Sequence, residues 1–173
     1  MNSSPKTVRA ASSGSNLYVE STYDSSHLSN KWGDYRSSNA FDNNRSTDWV
    51  EGSAGYRLGD YVGCSWRLYG GYSSRIAAYG IAIRGGMQYK GSESWGRNER
   101  PRNITVNVNG YDYSFTMSDT MSEQTFYFNG DVIMPDSSGR VNLRLTINSC
   151  YELPGDHYDV AINDIDLICA FLN

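Results

Sequence analysis

A chain of 173 residues with 15 basic and 19 acidic side chains carries a net charge of −4, without the clustered basic surplus that binding a phosphate backbone needs. Nucleic acid is therefore not an expected partner. The length suits one hydrophobic core, and no apolar run is long enough for a signal peptide or a membrane span.

Taken in chain order, residues 1–15 are Ser-rich and aperiodic, which reads as an unstructured leader or linker ahead of a domain over 16–173. Leu17, Val19 and Thr22 suggest a first strand, followed by long Ser-, Asn- and Gly-rich loops. Val62, Cys64, Trp66 and Leu68 then alternate with Gly63, Ser65 and Arg67, which places four apolar groups on one face of a half-buried strand. Ile76 to Arg84 reads as another strand. Ile104, Val106 and Val108 alternate up to Asn109-Gly110, and Tyr111, Tyr113, Phe115 and Met117 resume the alternation. Asn-Gly accepts the two positive φ angles of a type I′ turn, so this stretch predicts a hairpin. Phe126 and Phe128 mark a short strand, and Val141, Leu143, Leu145 and Ile147 a longer one. Val160 to Leu172 is apolar on both faces, as in a strand covered from both sides. No stretch holds helical periodicity over a dozen residues. The 14 Tyr and 17 Gly suit pleated surfaces and turns, and the expected fold is an all-β jelly-roll sandwich with long loops. Cys64, Cys150 and Cys169 lack metal-binding spacing, and with only two His they read as small buried hydrophobes.

Four stretches carry a resemblance when taken in order. AFDNNRSTDWVEG, Ala40 to Gly52, resembles the Asp-Gly…Thr…Trp loop of galactose-binding-like β-sandwiches, the superfamily of discoidin domains and family 32 carbohydrate-binding modules. GYRLGDYV, NERPRNITVNVNG and YELPGDHYDVAINDIDLI follow the pattern of one subgroup, the glycan-binding domain found at the N-terminus of streptococcal NAD-glycohydrolase. Together they span about 38–168. Asn43 stands where that pattern has Gly, Arg57 replaces another Gly, and Asp164 replaces Glu. Asn accepts a positive φ more readily than other side chains, so the first exchange is mild.

The resemblance implies a structural calcium in the polar loop. Such an ion takes six to eight oxygens. Asp42 and Thr47 would supply side chains, Ala40 and Asn44 carbonyls, and Asp164 a carboxylate from the last strand. The same residues also suit a plain Asx turn, with Asp42 and Asn44 bonding nearby amides and Trp49 filling the core.

A sugar is recognised by flat aromatic faces beside hydrogen-bonding groups. MQYKGSESWGRNERPR offers Tyr89, Trp95, Arg97, Asn98 and Arg100, and by resemblance Arg100 and Asn98 come first. The alternative is that those two hold their own loop. Tyr56, and Trp32 with Tyr35, are further aromatic candidates. His157 beside Asp156 has no nucleophile near it, and no loop offers the carboxylate pair of a glycosidase, so an enzyme is not expected. The resemblance implies a non-catalytic glycan-binding module, at a cell surface or outside the cell. A discoidin-type module that binds a protein or lipid is the alternative.

Overall fold

Alternating sequence becomes strand here wherever one face has a core to meet. The computed structural model describes residues 6–8, 17–53, 58–68, 76–154 and 159–171. Within them the chain forms β1 (Lys6–Val8), β2 (Leu17–Asp24), β3 (Ser29–Asn30), β4 (Gly33–Asp34), a 3-10 turn (Ser37–Phe41), β5 (Trp49–Val50) and β6 (Tyr61–Leu68). There follow β7 (Ile76–Gly85), a one-turn helix α1 (Ser92–Trp95), β8 (Arg100–Val108), β9 (Tyr111–Thr116), β10 (Gln124–Tyr127), β11 (Arg140–Tyr151) and β12 (Ala161–Phe171).

Two antiparallel five-stranded sheets face each other. One runs β1-β12-β7-β10 with β5 also on β12, and the other runs β2-β6-β11-β8-β9. The expected β-sandwich is present. Cys64, Trp66, Val106, Leu143 and Leu145 from one sheet meet Ile81, Ile83, Ile165 and Leu167 from the other in a single core. Burial of this size is the main favourable term in folding. Aromatic pairs close the layers: Tyr113 stacks on Phe128 at 4.6 Å between ring centres, Phe115 on Phe126 at 4.9 Å, and Phe41 meets Trp66 edge-on.

The Asn-Gly hairpin joins β8 to β9, with φ of 48° at Asn109 and 92° at Gly110. β12 is covered on both sides, as its composition implies: every residue from Ala161 to Cys169 is buried. Within the stretch expected to be an unstructured leader, Lys6–Val8 pairs with Leu167–Cys169 of β12. An open edge of a central strand carries unpaired amides and carbonyls, and pairing with β1 satisfies them. The three cysteines are buried and free.

One irregularity in β12 matters below. Its pairing with β7 slips between Ile162, opposite Gly85, and Asp164, opposite Arg84, which leaves Asn163 as the extra residue of a bulge. The slip keeps Ile162 and Ile165 both in the core although they are three residues apart. It also sends Asn163 toward the loop before Trp49.

Close sheet packing makes Gly80 of β7 sensitive. A Cβ there would lie 2.2 Å from the Phe126 carbonyl oxygen on β10, a rigid backbone atom. Gly80→Ala is expected to cost about 2 kcal/mol through overpacking, read as a lower midpoint in urea denaturation.

Candidate functional site

The polar loop Asp42–Asp48 leaves the 3-10 turn with Asn43 at a φ of 53°, the left-handed conformation its place in the motif requires. Asp42 Oδ1 accepts the Asn44 amide at 2.9 Å, and Asn44 Oδ1 accepts the Ser46 amide at 3.0 Å, giving two successive Asx turns. The Thr47 hydroxyl lies 2.8 Å from Asp42 Oδ2 and 2.9 Å from the Asn44 carbonyl. Ala40 and Trp49 are fully buried at the two ends of the segment.

Two residues that sequence reasoning missed tie this loop to the sheet. The Asn163 amide donates to the carbonyls of Arg45 and Thr47, at 3.3 and 2.8 Å, and to Asp48 Oδ1 at 2.9 Å. Arg84, 2% exposed, donates to Asn163 Oδ1 at 3.1 Å, Glu123 Oε2 at 2.8 Å, Asp164 Oδ2 at 2.5 Å and Asn43 Oδ1 at 3.4 Å. The other Asp164 oxygen accepts the Asn43 amide. Of the groups expected to ligate calcium, the Asp42 and Asp164 carboxylates and the Asn44 carbonyl each accept a hydrogen bond from the chain itself, and the Thr47 hydroxyl is spent as a donor to Asp42 and Asn44. Among the described residues, no three acidic, His or Cys side chains are arranged to hold a metal. In this arrangement the donor set does not fit a divalent ion.

The outer side of the same loop borders a groove of about 190 Å³. Trp32, at the tip of the β3–β4 hairpin, is 77% exposed, and Tyr35 and Tyr89 supply two more aromatic rings. Asp34, Asn39, Ser46, Thr47 and Asp48 add polar groups. The tip is shaped locally: the Trp32 amide donates to Asn30 Oδ1, and Lys31 lies over the indole. Asn39 joins the hairpin to the loop by donating to the carbonyls of Asp34 and Asp48. Asp34 is held by Arg36, with His27 beside it. Asp48 is 1% exposed and accepts the Gln88 amide. Burial pushes its carboxyl above the usual range, and burial next to Tyr89 and Asp48 raises the Tyr35 phenol.

Of the ligand residues expected from sequence, Tyr89, Trp32 and Tyr35 line this groove, and Trp95, Arg97, Asn98 and Arg100 do not. Arg100, 8% exposed, grips Asp119 through two 2.9 Å bonds and lies over the half-buried Trp95 ring. Trp95 in turn packs against Gly86, where a Cβ would meet the indole at 2.4 Å. Arg97 is exposed and pairs with Glu93 one helical turn away, and Asn98 contacts the Met87 sulfur. Arg100 thus ties its own loop, through the Asn98 carbonyl, to the segment that carries Asp119. Tyr56, Arg57 and His157 lie outside the described residues.

A second polar centre was not legible in the sequence. Glu51 and Glu99 flank Val160: the Glu51 amide donates to the Val160 carbonyl, and Glu99 forms a parallel bridge with Val160. Both are buried, as is Asp60, whose Oδ1 accepts the Ser25 hydroxyl at 2.6 Å. Burial, then the nearby charges of Asp60 and Asp159, pushes the Glu51 carboxyl up to about 7. Glu99 moves the same way. Because these carboxyls face the interior, the centre belongs to the scaffold.

Residues 14–167 match the model of a family described as the NAD glycohydrolase translocation F5/8 type C domain, and the chain belongs to that family. No curated protein gives a sequence match. Solved structures do share the fold. The CBM32-3 module of a family 31 glycoside hydrolase from Clostridium perfringens superposes with a TM-score of 0.60 at 11% identity, over 94% of each chain. The C-terminal domain of a Bacteroides fragilis chitobiase gives 0.57 at 14% identity, over 97% of this chain and 100% of that one. A mycobacterial arabinofuranosyltransferase gives 0.57 at 11% identity over 90% of this chain, which spans 12% of that enzyme. The sandwich is thus that of carbohydrate-binding modules, with little sequence in common.

The buried carboxyls set a pH dependence. A folded-state value above the ordinary one means that the native protein holds an extra proton across the interval, so stability declines as pH rises through it. Chemical denaturation is expected to give a more stable protein at about pH 5.5 than at about pH 8. Glu51→Gln should reduce that slope, with the remainder carried by Asp48 and Glu99.

Proposed function

Starting from that membership, we propose that this domain is a non-catalytic carbohydrate-binding module whose binding face is the groove between the β3–β4 hairpin and the polar loop. The observation that carries this reading is the meeting of Trp32, Tyr35 and Tyr89 around Asn39, Asp34 and Asp48. A pyranose has one face rich in C–H groups, which stacks on aromatic rings, and a rim of hydroxyls, which needs fixed acceptors and donors. Trp32 offers a largely exposed indole, and the Asp34 carboxylate, oriented by Arg36, has lone pairs left to accept a sugar hydroxyl. Asn39 already spends its amide on the loop, so it orients the groove wall while its carbonyl oxygen stays available to a sugar hydroxyl.

The groove is open and small, so binding is of modest strength and favours the end of a glycan or a single residue within it. No reaction is assigned to it. Its carboxylates are either buried, as Asp48 is, or committed to a neighbouring cation, as Asp34 is to Arg36. A module of this kind serves to dock an attached or associated protein on glycoconjugates at a cell surface.

A glycan array followed by calorimetry on the best ligand tests the reading. Trp32→Ala is expected to weaken binding roughly tenfold or more, since the lost contact is that of a large apolar face. Its exposed position predicts an unchanged melting temperature. Unchanged affinity in Trp32→Ala and Tyr89→Ala, or no glycan bound by the wild type, would refute the assignment.

A further inference from the structure

We propose that the guanidinium of Arg84 is the fixed cation that ties the Asp42–Asp48 loop to Asp164 of the closing strand, serving in the role of a calcium ion. This role of Arg84 holds whatever the groove binds. A loop that gathers oxygen atoms against a carboxylate of the closing strand needs positive charge at its centre, or the oxygens repel one another. In this chain the charge comes from within β7. Arg84 lies opposite Asp164 in the β7–β12 register, so its side chain leaves the sheet beside that carboxylate.

The placement is that of a coordinating centre. Four side-chain oxygens surround the guanidinium: Asp164 and Asn163 of β12, Glu123 ahead of β10, and Asn43 of the loop. A planar fork of five N–H donors can hold several acceptors at fixed angles, which an ammonium group cannot. Two loop carbonyls, those of Arg45 and Thr47, accept the Asn163 amide. Arg84 and Asn163 are themselves bonded at 3.1 Å, so cation and amide form one unit.

A divalent ion would have to lie beside a fixed positive charge and compete with N–H and O–H donors for nearly every oxygen within reach. At 2% exposure for both Arg84 and Asp164, that repulsion is weakly screened. The loop therefore closes on its own chemistry, and Ser46, Thr47 and Asp48 keep their places on the groove wall whether or not calcium is present.

Three measurements test this. The wild-type melting temperature should be the same in chelator and in millimolar calcium; a rise of several degrees with calcium would overturn the proposal, because a ligand of the native state must stabilise it. Arg84→Gln, which keeps some hydrogen bonding but removes the charge, should lower the melting temperature by roughly 10 °C, as expected when one partner of a buried pair is removed. Adding Asp164→Asn to Arg84→Gln should then cost much less than Asp164→Asn does in the wild type. Additive losses would mean that the two residues are not acting as ion and counter-ion, and would sink the idea. If Arg84→Gln does not fold, the double variant decides: a folded Arg84→Gln/Asp164→Asn protein supports the pair, because removing the counter-ion rescues the chain, and a double variant that also fails to fold would overturn it.

Discussion

The closing strand β12 buries three polar side chains, Asn163, Asp164 and Asp166, in a strand otherwise made of Ala, Ile, Leu, Cys and Phe. Desolvating such groups costs several kcal/mol unless partners meet them, and their partners decide much else in the molecule. Asn163 and Asp164 reach out of the sheet to the Asp42–Asp48 loop, and Arg84 on the neighbouring strand completes the set. Core and loop are thereby locked to each other. The bulge makes this possible, since it turns one residue outward without moving Ile162 or Ile165 from the hydrophobic layer.

The groove inherits its shape from that lock. One wall is the outer side of the same loop, and the other is the short hairpin Ser29–Asp34, which has little core of its own. Asn39 bridges the two by bonding a carbonyl on each side. A short exposed hairpin is marginal alone, so its rigidity is borrowed from the loop it leans on. The aromatic rings are thus presented on a mount whose stiffness originates in the buried polar cluster some residues beneath.

Much of the sandwich was legible because its strands obey simple rules. β6, β8, β9 and β11 each show one apolar face in strict alternation, and Asn109-Gly110 announces its own turn. β12 was visible as a two-faced strand. The bulge was hidden, because Asn163 and Asp164 are both polar and a one-residue slip between them leaves no mark in the pattern. Arg84 reads as a polar interruption in IAIRGG, and only the pairing of β7 with β12 reveals its acceptors. The partner of Arg100 was hidden for a related reason. In RNERPR it resembles an exposed cation, but Asp119, nineteen positions on, draws it inward. Tyr89, Trp32 and Tyr35 each stood out as loop aromatics. Their meeting in one groove is tertiary, set by distant segments, and no local spacing encodes it.

The three cysteines carry one more implication. Burial raises the Cys64 thiol well above its ordinary value and takes Cys150 and Cys169 up to about 12, so none offers a thiolate near neutrality. Oxidants and exchanging disulfides have nothing to attack while the sandwich is intact. No covalent staple holds the sheets, and none is asked for: the same architecture can form in a reducing interior or an oxidising exterior, indifferent to the redox poise on either side of a membrane.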